Sequence, residues 1–111
     1  MDERGAILTE NVEEYYSEAN KALKNQKWNT ATTLYFKAMA ALCDLFLLKK
    51  EGSIPRSYTH RFRILEKYKE VYNIIDKDFP FYQDSYTHRM DKETAELLKE
   101  DVDRIKEIAN Y

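Results

Sequence analysis

WNTATTLYFKAMAALCDLFLLKK, Trp28 to Lys50, is the stretch whose reading decides the fold. Between Ala31 and Leu48 only Thr32, Thr33, Lys37 and Asp44 are polar. Thr30, Thr33, Lys37 and Asp44 follow one another at steps of three, four and seven residues, so a helix gathers them into one narrow stripe. The rest of that cylinder is apolar, and a helix apolar nearly all round is buried by its neighbours. A membrane span, the other reading, needs about 20 predominantly apolar residues in a row. Lys37 and Asp44 interrupt the run, so no membrane segment is expected. Asn29 is the expected N-cap, and Gly52 with Pro55 stops the helix just past Lys50. The rest of the chain is then read as what covers this helix.

At 111 residues the chain is expected to form a single domain over 1–111, long enough for one core. Two Gly and two Pro are too few for a turn-rich β fold and suit long helices with short connections. No stretch alternates with period two, so no strand is expected. A composition of 43% hydrophobic and 34% charged residues is that of a folded chain, not a disordered one. The beginning, MDERGAILTE, is acidic and has no apolar core segment, so no signal peptide is expected. Cys43 is the single cysteine and sits in the most apolar helix, which makes it a core residue. With no disulfide possible inside the chain, a reducing cytoplasm is the expected location.

Outward from the central helix, a first helix is expected from about Thr9 to Gln26, with Leu8, Val12, Tyr15, Ala19 and Leu23 as its apolar stripe. Asn25-Gln26-Lys27 is the turn between the two. Ser57 is expected to cap a third helix from Tyr58 to about Asp78, with Phe62, Leu65, Tyr72, Ile75 and Phe79 buried. Pro80 should end it, leaving Phe81 to Arg89 as a short helix or helical turn. Asp91 caps a last helix from Lys92 to about Asn110, whose stripe is Ala95, Leu98, Val102, Ile105 and Ala109. The fold expected is all-α: an antiparallel up-and-down four-helix bundle with an additional short helix.

Charge is uneven along the chain. Residues 49–69 hold seven basic and two acidic side chains, whereas residues 1–26 and 91–111 are each net acidic by three. The basic segment suits an anion such as phosphate or RNA, and equally suits the acidic helices of its own fold or of a second subunit. The histidines are His60 and His88, too few for an internal zinc site with Cys43 sequestered, so neither metal nor cofactor is expected. With Gly5 and Gly52 as the only glycines there is no phosphate-binding loop. What remains is histidine and arginine chemistry. Arg56, Tyr58, His60, Arg61 and Arg63 are the candidate phosphate or nucleic-acid contacts. The candidates for catalysis are His60 with Arg56 and His88 with Arg89. Arginine stabilises phosphate charge and histidine moves protons near neutral pH, a combination suited to metal-free RNA cleavage. The plainer alternative for His60 is a local hydrogen bond at a helix start. Ser57-Tyr58-Thr59-His60-Arg61 recurs as Ser85-Tyr86-Thr87-His88-Arg89. The flanks do not match, so the repeat reads as coincidence rather than as a structural unit.

The order of elements resembles the HEPN superfamily of small all-α domains. Ala19 to Leu48, ANKALKNQKWNTATTLYFKAMAALCDLFLL, is similar to that family's alanine-bearing first helix, aromatic turn and Ala/Tyr/Ala/Leu second helix. Ile54 to Phe62 is similar to its Pro-x-Ser/Thr-x-x-His segment, and Tyr82 to Tyr86 with the acidic Asp91 to Ile108 to its ending. The resemblance implies a helical bundle, commonly a homodimer, often acting beside a minimal nucleotidyltransferase as the ribonuclease toxin of a toxin–antitoxin pair. It also implies a catalytic Arg, four to six residues, then His. Here no Arg stands at that spacing before His60 or His88: Pro55, Ile54 and Ser53 precede the first, Gln83, Tyr82 and Phe81 the second. The expectation is therefore a module that binds a nucleotidyltransferase-like protein, RNA or a nucleotide. The alternatives are an active metal-independent endoribonuclease and a purely structural interaction bundle.

Overall fold

The computed structural model describes residues 2–111 and is all-helical, with five helices and no strand among the described residues: α1 (Glu3–Lys24), α2 (Trp28–Glu51), α3 (Tyr58–Leu65), α4 (Lys69–Asp84) and α5 (Lys92–Ile108). α2 is the central element. Its 24 residues span about 36 Å at 1.5 Å each, close to the 38 Å long dimension of the molecule. α1, α4 and α5 all pack against it, α4 also touches α5, and α3 rests on α4. Ala31, Tyr35, Phe36, Ala38, Met39, Leu42, Cys43 and Leu47 of α2 are wholly buried. By length and composition α2 would pass for a membrane span, yet 72% of its apolar window is covered by the other helices. Cys43 is among the covered residues, and burial pushes its thiol far above the usual range.

The covering helices bury the stripes their sequences carry. Val12 and Ala19 of α1, and Ala95, Leu98, Val102 and Ile105 of α5, have no exposed surface. Ser57 caps α3 by accepting from the His60 N–H at 3.1 Å, and Asp91 caps α5 by accepting from Thr94 N–H at 2.8 Å. Gly52 ends α2 in the left-handed region at φ 78°, a conformation glycine adopts without steric cost.

Four boundaries differ from expectation, each for a local or tertiary reason. α1 starts at Glu3 rather than Thr9, because Asp2 supplies the cap, accepting from Gly5 N–H at 3.0 Å. Asn29 is not the cap of α2. Lys27 holds that position with no side-chain cap, and Asn29 sits inside the first turn, its amide spent elsewhere. The expected third helix is two helices, broken at Glu66–Tyr68. No Gly or Pro marks the break. The Tyr68 hydroxyl donates to Glu51 and its ring lies 5.1 Å from that of Phe46, edge to face, so the end of α2 draws this turn towards itself. Pro80 does not end α4, and Phe81–Asp84 continue it instead of forming a separate short helix. Pro80 and Asp76, whose carbonyl loses its N–H partner, both lie on the exposed side of α4, where water replaces the missing bond.

Candidate functional site

The polar stripe of α2 is where other elements deliver their chemistry. Thr33 Oγ1 shares a 2.7 Å hydrogen bond with Ser85 Oγ. The Lys37 ammonium stands 5.6 Å from the centre of the Tyr82 ring. Asp44 accepts from Arg61 twice, at 2.7 Å from Nε and 2.8 Å from Nη2. This fork is nearly out of water, the Arg61 and Asp44 side chains being 11% and 10% exposed. Burial is the largest influence and opposes the guanidinium charge, but the hydrogen bonds to Asp44 and its negative charge together outweigh it, so Arg61 titrates even higher than free arginine. Its third nitrogen, Nη1, is buried without a partner. The guanidinium carbon lies 4.9 Å from the centre of the Tyr58 ring, a cation–π distance.

Tyr58 opens a chain of three phenols. Its hydroxyl donates to that of Tyr82 at 3.4 Å, and Tyr82 shares a 2.9 Å bond with Tyr86. Tyr58 and Tyr86 are 37% and 64% exposed, while Tyr82 between them is 8% exposed. Beneath them Phe36 stacks on Tyr82 at 4.7 Å and Phe79 lies 5.5 Å from Tyr58. The Tyr82 phenol is held well above its ordinary pKa, first by burial and then by its bonds with Tyr58 and Tyr86. It stays protonated at any ordinary pH and fixes the two outer rings.

Tyr58 and Tyr86 are the tyrosines of the two Ser-Tyr-Thr-His-Arg segments, so the repeat that reads as coincidence in the sequence converges on one hydroxyl. The two copies are held differently. The first opens α3. The second follows α4 and is fastened to the start of α2: Asn29 Nδ2 donates to Ser85 O at 2.9 Å and His88 O at 2.6 Å, and Asn29 Oδ1 accepts from Met90 N–H at 3.0 Å. Ser85 is buried and donates to Tyr82 O at 2.6 Å, where its counterpart Ser57 is a helix cap.

Both candidate histidines are engaged locally. His60 Nδ1 accepts from Arg56 N–H at 3.0 Å. His88 Nδ1 lies 2.9 Å from Thr87 Oγ1 and 3.8 Å from an Asp84 carboxylate oxygen. Among the described residues no hydrogen bond or ion pair joins the two histidines, or either one to a guanidinium. Arg56, Arg63 and Arg89 are exposed and form no ion pair among the described residues. No group of three His, Cys, Asp or Glu among the described residues is placed to hold a metal ion. The arrangement provides flat aromatic surface, phenol donors and exposed guanidinium charge.

The structure thus brings Tyr58 and Arg61 together and adds Lys37, Asp44, Tyr82 and Tyr86, which were not among the expected site residues. Two signals pointed to three of them, the polar stripe of the central helix to Lys37 and Asp44 and the repeated pentapeptide to Tyr86, while Tyr82 lies outside both. No protein-family model matches this chain, and neither a curated protein nor a solved structure does.

Proposed function

We propose that this chain is a HEPN-like module, an antiparallel up-and-down helical bundle with one short extra helix, that binds single-stranded RNA or a nucleotide on its tyrosine–arginine face. The observation that carries this reading is the Tyr58–Tyr82–Tyr86 chain with its two exposed rings. Stacking of bases on such rings is the main sequence-tolerant term in single-strand binding, and arginines beside them neutralise phosphate. Arg56, Arg63 and Arg89 are the exposed positive groups on the segments that carry Tyr58 and Tyr86. The three-residue connection between α1 and α2 supports the antiparallel arrangement. A cytoplasmic homodimer is the assembly proposed, since two copies double the stacking surface.

The test is fluorescence anisotropy with a labelled single-stranded RNA at low and high salt. Binding should weaken steeply with salt. Tyr86→Ala should cost about 1–3 kcal/mol of affinity, and Arg56→Ala should lower the salt slope by about one. Absence of binding at low salt refutes this reading and leaves a nucleotidyltransferase-like protein as the partner of the same face. Cleavage of the RNA that is lost in His60→Ala or His88→Ala would establish the metal-independent ribonuclease instead.

A further inference from the structure

The buried line of α4 is Val71, Ile75, Asp78 and Tyr82, at steps of four, three and four residues. That spacing keeps all four on one face of a helix. A carboxyl therefore occupies a core position between an isoleucine and a tyrosine. It has no exposed surface, and neither of its oxygens has a hydrogen-bond partner. The stretch that starts at Asp78 also carries the tyrosine chain. Tyr58 rests on Phe79 and Tyr82, Ser85 is tied to Thr33 of α2, and Tyr86 bonds to Tyr82. The same stretch lacks one internal bond of α4, since Pro80 has no N–H to give the Asp76 carbonyl.

Two charged groups face Asp78. Lys77 of α4 lies 3.5 Å from Asp78 Oδ1, but it is half-exposed and closer to Asp101 Oδ2 of α5, at 2.8 Å. Asp101 itself brings a like charge. Lys37 of α2, Arg61 of α3 and Arg104 of α5 are spent elsewhere, on the Tyr82 ring, Asp44 and Glu70. Protonated, Asp78 is a neutral core side chain that can donate towards Asp101. Ionised, it is a buried charge whose only counterion is a shared lysine. Such a charge is costly to keep from water, and local opening relieves it. We infer that the Asp78 proton is a latch on the tyrosine–arginine face: with it residues 78–86 stay seated on α2, and without it they lift and take the Tyr58–Tyr82–Tyr86 chain apart. Rising pH loosens the face and releases what it holds. The release rests on the binding proposed above, whereas the latch itself does not.

Hydrogen exchange of the full chain, followed by NMR at pH 6, 7, 8 and 9 and corrected for intrinsic exchange, tests this. Opening that brings Asp78 to water releases one proton. The opening constant at residues 81–86 should therefore rise about tenfold per pH unit and level off near pH 8, where the closed chain itself loses the proton. The α1 amides should stay better protected than residues 81–86 at every pH. Asp78→Asn should remove the response. If that variant does not fold, Asp101→Asn decides: it takes away the like charge and should bring the plateau to lower pH. A labelled single-stranded RNA should lose affinity for the parent, relative to Asp78→Asn, between pH 7 and pH 9. RNA that binds neither chain counts against the binding reading and leaves the exchange data to decide the latch. Equal opening constants in α1 and residues 81–86, or a pH response that persists in Asp78→Asn, overturns the inference.

Discussion

Asp78 is wholly buried in α4, and neither of its carboxylate oxygens has a hydrogen-bond partner. The groups facing it are Lys77 of its own helix and Asp101 of α5. The Lys77 ammonium lies 3.5 Å from Asp78 Oδ1 and 2.8 Å from Asp101 Oδ2. Burial first, and then the neighbouring Asp101, push the Asp78 carboxyl up to about 8 from an ordinary 3.8, against the opposing pull of Lys77. Between those two values the folded chain holds a proton that the unfolded chain releases. The contribution to stability is therefore complete below pH 4 and is lost as pH rises towards 8. One proton corresponds to about 1.4 kcal/mol per pH unit, so the loss from pH 5 to pH 8 amounts to roughly 3–4 kcal/mol. Asn in place of Asp keeps the shape and cannot ionise. Asp78→Asn should match the parent below pH 4 and gain on it by roughly 3–4 kcal/mol between pH 5 and pH 8. Urea denaturation at pH 5, 6, 7 and 8 measures the difference, with an unchanged m-value showing that only stability moved. The comparison with the parent cancels the titration of groups that do not touch Asp78, so the measured difference belongs to Asp78 with its neighbours Lys77 and Asp101. Parallel stability–pH curves for the two chains would show that Asp78 does not carry a proton into the folded state and would refute the reasoning.

Other outcomes follow from the same structure. Asp44→Ala strands the buried Arg61 guanidinium and should cost about 3–5 kcal/mol, whereas Asp44→Leu together with Arg61→Met should be close to neutral; a double-mutant cycle in denaturant separates the two, and a double variant as unstable as the single one contradicts the account. Leu42→Ala and Phe46→Ala should each cost roughly 2–5 kcal/mol by calorimetry, and losses below about 1 kcal/mol at both sites are incompatible with a central α2. Asn29→Ala removes three bonds to the segment after α4 and should cost about 1–3 kcal/mol. Hydrogen exchange should then quicken at residues 85–90 and leave α1 unchanged; protection that is equal in both chains would mean that Asn29 does not fasten the segment.

The helical class was legible because each helix stabilises a pattern contained within itself. The stripe of α5 recurs every three or four residues, and the caps Ser57 and Asp91 bond to N–H groups three residues away. A reader of the sequence has every partner in view over such distances. The site was legible only in fragments. Tyr58, Arg61 and the basic segment stood out by type, and the repeat was visible, but nothing local says that Tyr58 and Tyr86 meet at Tyr82 or that Arg61 turns inward to Asp44. The histidines were singled out beside arginines in the sequence, and the structure adds only their local partners, each within four residues.

The amino-acid sequence by itself determined that most of Trp28 to Leu48 is buried, where α2 stops, where α5 starts, and that the chain is all-helical. These follow from hydrophobic periodicity and capping, which act over one or two turns. Tertiary structure alone decided the break at Glu66–Tyr68, which depends on Glu51 and Phe46. It also decided the survival of α4 through Pro80, which depends on which side of the helix meets water. The use of the α2 polar stripe was decided the same way. A lysine and an aspartate on an apolar helix announce only that something polar must cover them, and Arg61, Tyr82 and Ser85, from 17 to 52 residues away, supply the cover.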